Sequence, residues 1–144
     1  MSWDEIGSSG TLHDYLKQFE AQYPQVLGIW LVDPSRTLRN SSRTFPVAPI
    51  DLSDRDYFIA LRDKDVGTFV SHVVVGRVAA ERNFNVVRRR SSANGVFNGV
   101  IVVSVSPGYF TDFWRKTVPP LDVMAGLLRN DLDLLAREPS SPAS

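Results

Sequence analysis

Apolar residues in the first part of the chain recur at Leu12, Tyr15, Leu16, Phe19 and Tyr23, the three- and four-residue steps of one helix face. A Ser/Thr-rich stretch ahead of them offers a cap and Pro24 stops the run, which predicts an amphipathic helix of about three turns. Val26 to Val32 reads instead as a short apolar strand, ended by the turn sequence Asp33-Pro34-Ser35-Arg36, with Leu38 to Ser41 as its hairpin partner. Pro46 and Pro49 punctuate a loop. Ser53 then caps a short helix with Asp54 and Asp56 in its first turn, where the helix dipole favours carboxylates, and Tyr57, Phe58 and Leu61 on its buried face.

Beyond Gly67 the pattern is that of strands, at Thr68 to Val75, Phe84 to Arg90 and Val96 to Val105. Asn94-Gly95 is the strongest hairpin signal, because both residues tolerate the positive φ of a tight turn. Gly99-Val100-Ile101-Val102-Val103 is apolar enough to be central in its sheet and covered on both faces. Pro107 opens a final helix holding Tyr109, Phe110, Phe113 and Trp114, which Pro119-Pro120 ends. Helices and antiparallel strands in this order predict a mixed α/β (α+β) domain.

At 144 residues the chain suits one domain with a conventional core. Sixteen basic residues balance sixteen acidic ones, so no overall field gathers nucleic acid or anionic membrane, and any charge-based binding is local. The absence of cysteine excludes disulfides, thiolate metal sites and cysteine nucleophiles. His13 and His72 lack the helical spacing of a metal pair, and the aspartates from Asp51 to Asp65 do not follow a calcium loop. Neither a nucleophile elbow nor a phosphate loop nor a dinucleotide fingerprint occurs, so no catalytic residue, metal or cofactor is expected. No run reaches the ~20 apolar residues of a membrane helix, and the start lacks a signal-peptide pattern.

Ser53-Asp54-Arg55-Asp56-Tyr57-Phe58, Gly67-Thr68-Phe69-Val70-Ser71 and Val87-Arg88-Arg89-Arg90 followed by the Asn94-to-Val103 hairpin resemble, in order and spacing, the Cache family of PAS-like sensor domains. These are the extracytoplasmic ligand-binding modules of bacterial histidine kinases and chemoreceptors. The resemblance runs from about Leu12 to Trp114 and implies a central antiparallel sheet of about five strands flanked by helices. It implies a flexible lead over residues 1–11, the sensor domain over 12–118, and over 119–144 a tail similar to the start of a second, membrane-proximal module. Asp131-Leu132 stands where the family has Asp-Gly, which suggests that this tail is free to become a helix or to fray.

A guanidinium can hold a carboxylate bidentately while aromatic rings exclude water, and the resemblance carries those roles onto Arg55, Tyr57 and Phe58. Phe69 and Ser71 follow on the next strand, and Arg88 or Arg89 from the triplet, since neighbouring strand residues face opposite sides. Trp30 and Ser104 are further candidates for the pocket wall. Read from the residues alone, Tyr57, Phe58 and Trp30 are core, Arg55 is surface-paired, and the triplet is a solvated edge. The implied function is sensing of a small organic acid or amino acid, with a homodimer as the responding unit and an extracytoplasmic location in the parent family. The alternatives are a ligand-free structural or dimerisation remnant, and a cytoplasmic PAS-like domain holding haem or flavin.

Overall fold

The computed structural model describes residues 1–48, 50, 56–75, 82–117 and 125–138. Strands β1 (Val26–Val32), β2 (Leu38–Ser41), β3 (Thr68–Val70), β5 (Arg82–Ser91) and β6 (Phe97–Val105) form an antiparallel sheet in the order β2-β1-β6-β5-β3. Strand β4 (Val74–Val75) pairs further along β5. The central position of β6 is the one its apolar run predicts. Helices α1 (Trp3–Ser8) and α2 (Gly10–Ala21) lie on one face of the sheet and α3 (Asp56–Asp63) on the other.

Register assigns every strand residue to a face, because directly paired residues project to the same side. Trp30, Val102, Val87 and Phe69 form one row across four strands, and Gly28, Ser104 and Asn85 the next. This face packs against Tyr57, Phe58 and Leu61 of α3, all three buried. The opposite face carries Ile29, Leu31 and Val103 under Ile6, Leu12 and Leu16 of α1 and α2. Farther along it, Phe84 and Val105 meet Phe110 of α4 (Pro107–Thr117) together with Leu127 and Leu135.

The lead expected to be flexible is instead helical and pinned. Ser2 and Glu5 form a reciprocal cap at the start of α1, and Ser9 caps α2. The fully buried Asn40 side chain donates to the carbonyls of Ile6 and Ser9, 2.8 and 3.1 Å away, satisfying acceptors where α1 ends. Trp3 donates to the Asn98 side chain at 3.0 Å, and the Arg90 guanidinium lies 5.1 Å from its ring centroid.

Two turns differ from expectation. Ser92 and Val96 close a three-residue loop in which Gly95 alone takes a positive φ, +76°, so the hairpin uses a turn followed by a left-handed glycine and Asn94 needs no such conformation. The tail is neither helical nor frayed over 125–138: β7 (Ala125–Leu128) and β8 (Leu134–Glu138) form a second hairpin. Leu132 adopts φ +69° at its tip, the conformation a glycine would take without cost. Arg129 ties this hairpin to the main sheet, donating to the Val70 carbonyl at 3.1 Å and to Asp131, whose carboxyl it holds well below the usual range. His72 meets Asp133 at 2.8 Å on the same junction.

Leu132 is 76% exposed and contributes little packing. Leu132→Gly is therefore expected to stabilise the chain by up to about 1 kcal/mol, a rise of roughly 3 °C in the thermal midpoint. A lowered midpoint would show that the leucine side chain holds the tip in place.

Candidate functional site

A buried polar row crosses the α3 face of the sheet. Trp30 Nε1 donates to Ser104 Oγ at 2.7 Å, and Ser104 Oγ donates to Asn85 Oδ1 at 2.7 Å. The Asn85 backbone N–H donates to Ser71 Oγ at 2.9 Å, and Ser71 Oγ donates to the His72 carbonyl at 2.8 Å. Ser71, Ser104, Asn85 and Trp30 are all buried. Such a chain persists in a protein interior only when each member has a partner, since an unpaired polar group there costs about 1–3 kcal/mol. One donor is held weakly: Asn85 Nδ2 reaches Ser71 Oγ only at 3.5 Å.

Glycine shapes this surface. A Cβ at Gly28 would sit 2.5 Å from the Trp30 ring, so the indole lies back over the neighbouring strand position and its N–H is aimed at Ser104. Tyr57 and Phe58 pack beside Trp30 in one cluster with Val87, Val100 and Val102, and Phe69 borders it. Phe58 meets Phe97 edge-to-face with centroids 5.3 Å apart.

The structure thus brings Trp30, Tyr57, Phe58, Phe69, Ser71 and Ser104 to one face of the sheet. Arg55 lies outside the described residues. Arg88 does not join them: it pairs with Ile101 and projects from the α2 face, exposed. Its register excludes it from the α3 face, because Val87 and Arg89 hold that side. Arg89 is on the right face but opposite Val100 at the far end of the row, donating to the Leu61 carbonyl at 3.1 Å and the Gly95 carbonyl at 2.8 Å. It ties the end of α3 to the β5–β6 turn, and its guanidinium lies 5.4 Å from the Phe97 ring centroid.

Asn85 was not among the candidates drawn from sequence. Its signal was available: asparagine is depleted in strands, and Asn83, Asn85 and Val87 share one phase of β5. Both asparagines are buried, on the phase of β5 that faces α3. A separate open cavity of about 300 Å³ lies at the β1–β2 turn, lined by Gly7, Asp33, Leu38, Arg39 and Val47. There Arg39 is engaged by Asp33 at 3.1 Å and Asp4 at 3.3 Å, which leaves little free charge for a ligand. Among the described residues no cluster of side chains could hold a metal ion.

No protein-family model matches the chain, and no curated protein matches it. Solved structures do. The extracellular domain of a protein described as a histidine kinase, rpHK1S-Z16, matches with a TM-score of 0.81 at 27% identity, over 94% of this chain and 60% of that one. The ligand-binding domain of the Campylobacter jejuni chemoreceptor Tlp3, in complex with 4-methylisoleucine, matches with a TM-score of 0.66 at 13% identity, over 95% and 52%. The sensor domain of the V. cholerae histidine kinase DctB matches with 0.62 at 17%, over 85% and 46%. The chain spans 60% or less of the length of these domains. The fold is that of Cache-like extracellular sensor domains of histidine kinases and chemoreceptors, as the motifs led one to expect. No helix of the described residues is long and apolar enough to cross a membrane.

Proposed function

We propose that this chain is a small-molecule sensing domain of an extracytoplasmic signal-transduction receptor of the histidine kinase or chemoreceptor type, and that its ligand is an organic acid or amino acid. The observation that carries this reading is the buried polar row from Trp30 to Ser71, with Asn85 Nδ2 weakly occupied, beside the aromatic residues of α3. A carboxylate oxygen would take that spare donor, while Trp30 and Phe69 supply apolar walls and Phe58 holds α3 in place above them. The crystallised complex of the Tlp3 domain with 4-methylisoleucine favours the amino-acid branch. Arg55 and Ser71 would add polar contacts to the same ligand. A ligand acts in such a receptor only through different affinities for two arrangements of the protein, so a homodimer is the expected responding unit.

A thermal-shift screen of amino acids and small carboxylates tests the reading. A binder present at 100 times its dissociation constant adds about 2.7 kcal/mol. Asn85→Leu is expected to abolish that response, because it removes the amide while filling similar volume. Absence of any response across the panel, or a response that Asn85→Leu leaves intact, would count against binding on this face.

A further inference from the structure

The charged side chains that join the second hairpin to the main sheet meet at His72. Arg129 Nη2 lies 3.1 Å from His72 Nε2, and Asp133 Oδ2 lies 2.8 Å from His72 Nδ1. A guanidinium can only donate, so Nε2 must accept, and the ring's one remaining proton sits on Nδ1, where the Asp133 carboxylate takes it. The geometry therefore requires a neutral ring in one tautomer, bridging a cation and an anion of the same hairpin.

The backbone that carries this ring is held from two sides. The His72 carbonyl accepts from Ser71 Oγ at 2.8 Å, at the end of the buried polar row, and its N–H faces Asp56 Oδ2 of α3 at 3.4 Å. Asp56, Asp133 and Arg129 are the charged groups within hydrogen-bond reach of His72 among the described residues. Asp131 stands behind Arg129, which donates to it from both Nε and Nη2. That pairing holds the Asp131 carboxyl well below the usual carboxylate range and raises Arg129 in turn, so both keep their charges. A histidine, by contrast, ordinarily changes charge between about pH 5 and 8.

We propose that His72 is a protonation-controlled latch: neutral, it holds the hairpin over 125–138 against the sheet through both Arg129 and Asp133, and protonated, it releases Arg129. A second proton on the ring goes to Nε2 and points at Arg129, setting donor against donor and cation against cation. Asp133 keeps its hold on Nδ1–H, so the guanidinium is the group that moves. It is rigid and planar, and its withdrawal from Nε2 also takes Nη1 from the Val70 carbonyl, 3.1 Å away. The hairpin then keeps one of its two polar anchors and loosens as its surroundings acidify. Solvent protons reach the ring, whose side chain is 55% exposed, whereas the Arg129 side chain that is displaced is only 15% exposed. The junction lies beyond the ligand row, so the latch stands whether or not that row binds a metabolite.

Amide hydrogen exchange at about pH 8 and about pH 5, expressed as protection relative to the unfolded chain at the same pH, tests it. A two-stranded hairpin alone is marginally stable at best, so protection of the β7 and β8 amides reports docking on the sheet. That protection is expected to fall about fivefold on acidification while the protection of β6 is unchanged. His72→Gln offers one acceptor and one donor but no titrating proton, and is expected to abolish the fall. Nitrogen NMR of the parent chain at about pH 8, with the His72 ring identified by its loss in His72→Gln, is expected to place the proton on Nδ1. A proton on Nε2, hairpin protection that is the same at both pH values, a fall shared equally with β6, or a fall that persists in His72→Gln overturns the latch.

Discussion

Gly99→Ala is expected to destabilise the chain by at least about 3 kcal/mol, as a fall in the urea midpoint at unchanged slope. Gly99 has φ +91°, outside the range that L side chains accept at low cost, on the central strand β6. A Cβ there would sit 2.5 Å from the Trp3 ring and closer still to the Val32 carbonyl oxygen, a backbone atom that cannot swing aside. Relief would require β1 to part from β6, or Trp3 to leave Asn98 and Arg90 and release the N-terminal helix. Gly95 provides the control. Its φ is +76°, but a Cβ there meets nothing within 4 Å, so Gly95→Ala should cost only the conformational part, about 1–2 kcal/mol. Equal losses at the two positions would mean that β6 has slack the structure does not show.

The contrast between these two glycines follows the division between what the sequence announces and what it conceals. Local chemistry was legible: Val26 to Val32, Leu38 to Ser41 and the helix opening at Pro107 occupy the predicted positions, because apolar runs, turn residues and a proline at the first helical position act within a few residues. Side-chain phase relative to the other strands was not legible. The hydrogen bond from Trp30 to Ser104 joins residues 74 positions apart and exists only because β1 and β6 are neighbours. Arg88 and Arg89 could not be told apart before the pairing of Val87 with Val102 fixed which of them looks toward α3.

Strand phase also decides which polar side chains are buried. A polar phase on a strand usually means solvent, yet the Asn83, Asn85 phase of β5 faces the interior, while Arg88 shares its face with the core residues Phe84 and Val86. Likewise the aromatic spacing on α2 predicts a buried stripe, yet Leu12 and Leu16 alone pack on Ile29 and Leu31, and Tyr15 is left outside. In the hairpin over 125–138, Leu132 opposes its own propensity at the turn. Tertiary anchoring by Arg129 on the Val70 carbonyl, and burial of Leu127 and Leu135, outweigh that local cost.

Phe58→Ala should lower stability by about 3–5 kcal/mol in the ligand-free protein, the usual cost of emptying a fully packed aromatic site. Phe58 is only 1% exposed, shares its cluster with Leu61, Val87, Val100 and Val102, and meets Phe97 edge-to-face. Two roles for this ring give different results. A ring that seals the core gives the full loss without ligand, and whatever ligand response the parent shows should persist in the folded fraction. A ring that borders a ligand-filled hollow would already lack neighbours on one side, so truncation would cost well under 3 kcal/mol and remove the response. The burial favours the first outcome. Metabolite recognition would then rest on Trp30, Asn85, Ser104 and Ser71, with Phe58 fixing the position of α3 above them. Chemical denaturation of Phe58→Ala beside Asn85→Leu separates the two: the first is expected to lose stability and keep the response, the second to lose the response at a smaller cost in stability.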